Sequence, residues 1–445
     1  MKKSLIAIAA VAALYCGTSY YFGYRAEQVI RAQVANTREN PATAGYDVEL
    51  AEYRRGIFTS DFRFIVKTPQ SVSGSGPMEI TVRSTLRHGP IVFTPSPALG
   101  QFSAYSEVAI KTGQPELNAK LTALFGASIG HLNSISYFDN TYRTRWDVPA
   151  LKLDDDGAHF AMQPSTLDAR GSLDDHSTTG TLTLGAMAIT SKTGTQIATA
   201  PITIALDMKE IEPDLQIGNY RMDIDHIHVQ QPTGQAVELL HLAATQTQQL
   251  NGGNIDSTVR LTLEKFSGPI VVDHAFYQQD MTGFSSAAMK AFTGIAQRAP
   301  RDPALAVAYY REQIRTLLPL LQDSATIKVT AGGNYAGGQP QLQWTTHYKA
   351  PADSAKLDAL TAPLDYLQLL SSELTVQVPS ALVPPQLVAQ HLGTRIQQIG
   401  DNYVLNARLD DGQLTVGNTP IPLAEMLAPR NAAQEPTAPR ARRGT

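Results

Sequence analysis

Along most of this chain polar and apolar residues alternate with a period of two. Tyr46, Val48 and Leu50 stand on one side of the first alternating run, and Phe58, Phe62, Phe64 and Val66 continue after Arg54-Arg55-Gly56. That pattern predicts a hairpin with its turn at Gly56. A strand is predicted over 80–86 and stopped by His88-Gly89-Pro90. Further strands are predicted over 91–93 and 104–111. From 132 to 279 similar pieces recur between turn signals: Asp154-Asp155-Asp156-Gly157, Lys192-Thr193-Gly194, Glu212-Pro213 and Asn251-Gly252-Gly253-Asn254. Strands return over 325–331, 341–348 and 374–378, and a last hairpin turns about Asp410-Asp411-Gly412.

Helical spacing interrupts this pattern in a few places. Leu117, Leu121, Leu124 and Phe125 fall at i, i+4, i+7 and i+8, which predicts a helix over 116–125. The stretch 236–249 reads as a helix, and 285–297 is alanine-rich. Tyr310, Ile314, Leu317 and Leu321 form a stripe over 303–321, with Pro319 set to kink or end it. Pro384-Pro385 opens a segment carrying Val388, Leu392, Ile396 and Ile399 at helical spacing before Gly400. The fold class expected is mainly β (α+β): an elongated, curved antiparallel meander over 45–427, its apolar side partly covered by helical elements near 116–125, 285–321 and 384–399. The end, 428–445, reads as a disordered tail of Pro, Ala and Arg.

The N-terminus adds a placement. No charge occurs between Lys3 and Arg25, and about 20 apolar helical residues span a bilayer core. Tyr15, Tyr20, Tyr21, Phe22 and Tyr24 crowd the second half, as an interfacial aromatic belt would. Residues 5–24 are therefore expected to be an uncleaved anchor within 1–25, followed by a juxtamembrane segment over 26–44. A cleaved signal fits less well, because cutting after Ala9 or Ala12 leaves too short an apolar region. Lipoprotein processing wants a small residue before the cysteine, and Tyr15 precedes Cys16.

Composition narrows the function classes. The 445 residues carry 36 Lys+Arg against 40 Asp+Glu, a formal charge of −4, which argues against a nucleic-acid partner. A single cysteine excludes an internal disulfide framework and a cysteine-rich metal site.

Candidate chemistry is sparse. Gly126-Ala127-Ser128-Ile129-Gly130 has the G-x-S-x-G form, but a nucleophile elbow needs strand before and helix after, and here the order is inverted. In Asp223-Ile224-Asp225-His226-Ile227-His228 a strand puts the two histidines on one face and the aspartates on the other, so the four cannot converge on one ion without a bulge, though the two histidines at i, i+2 can still join a distant ligand. Asp154-Asp155-Asp156 lacks the ligand spacing of a calcium loop. His88 reads first as a turn-shaping residue, and Arg55 as packing over neighbouring strand residues. No catalytic residue, metal ligand or cofactor is assigned.

One set of short motifs resembles a known family. Tyr53-Arg54-Arg55-Gly56-Ile57-Phe58-Thr59-Ser60 is similar to the Y-x-R-G-hydrophobic-F-S/T-S stretch of the YdgA family of bacterial inner-membrane proteins. His88-Gly89-Pro90 follows, then Leu318-Pro319-Leu320 before Ile327-Lys328-Val329, and finally Gly412-Gln413-Leu414-Thr415-Val416 with Pro422-Leu423. The matches keep their order from residue 2 to about 427; the tail departs from the pattern. The resemblance implies a cytoplasmic N-terminus, an inner-membrane anchor and a periplasmic body, and no agreed activity. Tyr53, Arg55, Gly56, Phe58, Ser60, His88, Gly89, Pro90 and Pro319 are the motif residues, expected to serve the fold. The expected role is a non-catalytic envelope protein, structural, interacting or lipid-binding, with the membrane, a lipid, an envelope protein or a second copy as partner. An envelope hydrolase is the alternative.

Overall fold

The computed structural model describes residues 2–39, 46–68, 78–93, 97–213, 215–298, 309, 313, 317–321, 325–349, 365–383, 386 and 393–422. After helix α1 (Lys2–Glu39) come β1 (Asp47–Arg55), β2 (Thr59–Lys67), β3 (Met78–His88), β4 (Ile91–Phe93), β5 (Pro97–Leu99) and β6 (Phe102–Thr112). Helix α2 (Pro115–Phe125) precedes β7 (His131–Ser136), β8 (Thr141–Val148), β9 (Leu151–Asp155), β10 (Ala158–Met162), β11 (Ser165–Ser172), β12 (Ser177–Leu184), β13 (Met187–Thr190), β14 (Gln196–Thr199) and β15 (Ile202–Glu212). Four long strands follow: β16 (Leu215–Gln230), β17 (Ala236–Asn251), β18 (Asn254–Ser267) and β19 (Val271–Ser285). Helix α3 (Ser286–Arg298) and a 3-10 turn (Leu318–Leu320) lead to β20 (Thr326–Tyr335), β21 (Gln341–Tyr348), a 3-10 turn (Asp365–Leu369) and β22 (Leu370–Pro379). The chain ends in β23 (Ile396–Ile399), β24 (Asn402–Asp410), β25 (Gln413–Val416) and β26 (Thr419–Ile421).

Among the described residues, one antiparallel sheet takes up 24 strands, and β4–β5 form a small second one. Its main ladder runs β1-β2-β3-β6-β7-β8-β11-β12-β15-β16-β17-β18-β19-β20-β21-β22-β24-β25-β26. A branch, β9-β10-β13-β14, rejoins the ladder at β16, where β14 pairs with the last residues and β15 with the first. Each branch strand continues a ladder strand after a break of a few residues, so the sheet is creased along that line. The crease crosses β17 at His241 (φ 48°) and β19 at His274 (φ 50°), both in the left-handed region.

Three sequence expectations change here. The stretch 236–249 is strand β17. Val237 and Leu239 lie before the crease and Leu242 and Ala244 after it. A one-residue phase shift at His241 makes two period-two runs look helical. Over 384–399, Gln386 is helical as expected, but Gly393–Arg395 form a 3-10 turn and 396–399 are strand β23, whose residues pair with β24. Val388 and Leu392 lie outside the described residues, as do Tyr310, Ile314 and the 428–445 tail.

The largest change concerns α1. Ser19, Gly23, Ala26 and Val34 are buried along one face of this helix. Ala26, with Ile30, packs against Phe62, Leu86, Leu50, Tyr53 and Phe64 of β1–β3. Tyr20 and Tyr24, expected at a lipid interface, instead flank the Arg55 guanidinium at 5.0 and 5.3 Å. From Tyr15 onward one face of the helix thus meets protein, while a span needs about 20 consecutive predominantly apolar residues. Among the described residues no helix is long and apolar enough to cross a membrane. The expected single-pass anchor over 5–24, and with it the inner-membrane placement and periplasmic body, is corrected accordingly.

Candidate functional site

The register of the ladder separates the sheet into two chemically distinct faces. Cross-strand partners share a face. One unbroken row of partners is Tyr53, Phe62, Ser84, Ser106, Leu132, Trp146, Leu167, Leu182, Ile204, Met222, Ala244, Leu261, Tyr277, Ala331, Leu342, Val376 and Leu405. One residue along each strand, the opposite face carries Asn133, Arg145, Asp168, Thr181, Ala205, Arg221, Thr245, Arg260, Gln278, Thr330, Gln343, Thr375 and Asn406. Exposed pairs such as Arg143–Asp168 and Arg221–Asp223 keep that second face wet. At ~4.8 Å between strands, the apolar row runs on the order of 80 Å along the sheet.

The crease does not interrupt it. Beyond that line the partners are Met162, Met187, Thr199, Ile227, Leu239, Phe266, Val272 and Tyr335, apolar except for Thr199. On the near side they are Leu184, Ile202, Ile224, Leu242, Leu263 and Ala275. The step is three residues in each long strand, not two, and this keeps both rows apolar.

Cover is uneven. At one end α1 lies over Phe62 and Leu86. Around the far strand ends, Ala288 and Met289 of α3, Leu318 and Leu369 join Leu215, Ile255, Met281, Phe284 and Tyr348 in a buried cluster. Pro319 belongs to that turn, and the Tyr348 hydroxyl donates to the Leu318 carbonyl at 3.0 Å. Between these two cores the row is half-buried, and Leu261 is 41% and Trp344 39% exposed. At the β21–β25 end a cavity of about 410 Å³ is walled by Leu342, Trp344, Leu374, Ala407, Leu409 and Leu414, with Ser372 its polar member. The Trp344 indole N–H donates to the Ser372 hydroxyl at 2.7 Å, so the one polar edge of the ring is already satisfied.

The motif residues gather under α1. His88 is buried, with Nδ1 3.0 Å from the Ile57 carbonyl and Nε2 2.9 Å from the Ser60 hydroxyl. A carbonyl only accepts, so Nδ1 carries the proton and Nε2 accepts from Ser60. Burial holds the His88 pKa below its ordinary value; the Ile57 carbonyl opposes this and Arg55 adds to it. Burial raises that of Tyr53, with Ser60 pulling the other way. Gly23 of α1 sits directly over the imidazole: a Cβ there would fall 2.3 Å from the ring. The Ser19 hydroxyl donates to the Gly89 carbonyl at 2.5 Å. Gly89, before a cis Pro90, leaves no room for a Cβ against the Gly100 carbonyl. Gly56 is not left-handed; its close approach is to the Thr59 carbonyl, 2.9 Å from a built Cβ. Phe58 lies in the β1–β2 turn, 46% exposed, its ring 5.9 Å from that of Tyr15. Arg55 pairs with Glu27 of α1 at 3.0 Å, so its partners are on the helix and not on neighbouring strands.

Sequence patterns that suggested chemistry separate in space. The Ser128 hydroxyl donates to the Gly130 carbonyl at 2.7 Å in the turn after α2, and no histidine is its partner. The Ser60–His88 pair has the geometry of a dyad but is closed off by α1. His226 and His228 come together with Glu238 of β17, a residue the sequence did not single out because only the β16–β17 register brings it there.

Residues 1–397 match a family described as "Bacterial protein of unknown function (DUF945)", and the chain belongs to it. No curated protein and no solved structure matches the chain.

Proposed function

We propose that this DUF945 protein holds long acyl chains of lipids along the apolar face of its sheet, as a binding protein and not an enzyme. The observation that carries the reading is the long, mostly apolar row, with Ser84 and Ser106 its polar members, backed by a predominantly polar opposite face. An amphipathic sheet face of this length must be covered or hold a ligand. A stripe a few residues wide and tens of ångströms long suits extended hydrocarbon better than a compact polar substrate. The cavity at Leu342, Trp344 and Leu374 offers a place where a chain can lodge. The ordered motifs support a place near the YdgA proteins within the family, and the Ser60–His88–Gly89 network is proposed to fix α1 to the sheet. A hydrolytic role finds less support, because the Ser60–His88 pair is shut away from solvent.

The test is extraction of the purified full chain followed by mass spectrometry, with re-addition of defined lipids. Stoichiometric acyl lipid in the native preparation, displaced by excess fatty acid, is the expected result. A preparation free of lipid that also takes up none on re-addition contradicts the proposal.

A further inference from the structure

Glu238 stands directly across from His228, and His226 is two residues before His228 on β16. His228 Nδ1 and Glu238 Oε1 are 3.4 Å apart. The two imidazole centroids are separated by 6.2 Å at an interplanar angle of 47°. One donor atom from each of the three residues lies within 4.8 Å of the other two. Zinc bonds to nitrogen and carboxylate oxygen of ~2.0–2.1 Å place neighbouring tetrahedral ligands roughly 3.3 Å apart. The His228–Glu238 edge already has that length, and small side-chain rotations bring His226 to it.

We propose that His226, His228 and Glu238 form a binding site for a divalent transition-metal ion of the zinc type. Two neutral imidazoles and one carboxylate are a donor set suited to zinc and its neighbours and poorly suited to magnesium or calcium. With three protein ligands the fourth position is left to water or an anionic ligand. None of the three is fully buried, and the side chains of His228 and Glu238 are 31% and 44% exposed, which leaves an entry path. The neighbouring strands leave the site uncrowded: Ala198 of β14 pairs with His228, and Ser267 of β18 with Glu238. The nearest cation by register, Lys265, lies in the row of His226 but two strands across, with Leu240 between them. A second grouping on the crease is chemically different: His241 lies 3.5 Å from Asp225 and 3.7 Å from Glu264, so it is spread between two carboxylates. A bound ion would tie β16 to β17 beside the crease, where His241 interrupts their pairing.

Equilibrium dialysis of the tag-free full chain against Zn²⁺, with the metal counted by mass spectrometry, tests the site. One Zn²⁺ per chain is expected, with Tm rising as Zn²⁺ is added. Glu238→Gln and His228→Ala should each weaken binding at least tenfold, while His241→Ala leaves it unchanged. Circular dichroism checks that each variant is folded, and the isosteric Glu238→Gln is the variant least able to disturb the strand. X-ray absorption should report two imidazole ligands. No bound Zn²⁺ at micromolar concentration overturns the proposal. So does binding that survives Glu238→Gln and His228→Ala, or that is lost in His241→Ala instead.

Discussion

One end of the apolar row and its middle differ in what lies over them, although the strands beneath are built alike. Under α1, Phe62 and Leu86 are 8% and 1% exposed, and the helix is keyed in place by Ser19, Gly23, Ala26 and the Arg55–Glu27 pair. In the middle of the sheet, Leu261 is on the same row and 41% exposed. The first region shows what covering this face requires: a helix with small residues where it approaches, and polar groups that close their hydrogen bonds. The second region meets the first condition nowhere among the described residues. The same amphipathic strand therefore acts as core at one end and as open binding surface in the middle.

That contrast can be broken by mutation. Phe62→Ala should cost about 3–4 kcal/mol, the usual range for emptying a buried aromatic site, and should loosen α1. Leu261→Ala on the same row should cost less, about 1 kcal/mol, because about two-fifths of the residue is already exposed to solvent. Chemical denaturation of the two variants measures both. Comparable losses would mean that the middle of the face is as well covered as the end.

A smaller effect sharpens the comparison through pH. His88 is held neutral in the fold, and its pKa is depressed relative to the ordinary value of about 6.5. The unfolded chain therefore binds the proton more readily. Stability from this group is fully present above about pH 6.5 and is lost as pH falls toward the folded pKa. Urea midpoints followed from pH 8 to 5 should show this decline in the native protein and a shallower one in His88→Gln. Equal slopes would remove His88 from the account.

Much of the β architecture could be read from period-two runs and turn residues, because each strand has one wet face and one dry one. The residues 236–249 resisted because His241 shifts the phase in mid-strand, and two short alternating runs then mimic a helix. The N-terminal segment resisted for a different reason. An aromatic, uncharged stretch satisfies the composition of a membrane span, yet Tyr20 and Tyr24 are there to sandwich Arg55 and Gly23 to clear His88. Glu238 was hidden because cross-strand register, and not sequence spacing, sets it opposite His228. The apolar row itself is a property of register: each of its members is ordinary in its own strand.

The chain's two tryptophans, Trp146 and Trp344, both belong to the apolar face, at either side of its uncovered middle. Long-chain fatty acids brominated along the acyl chain quench tryptophan only on close contact. Titrated into the native protein, they should quench both residues saturably, and Trp146→Phe and Trp344→Phe should each retain a quenchable signal from the other. Unbrominated fatty acid should compete the effect away. If acrylamide quenches both tryptophans while brominated chains quench neither, the face is open to solvent but does not hold acyl chains, and the account fails.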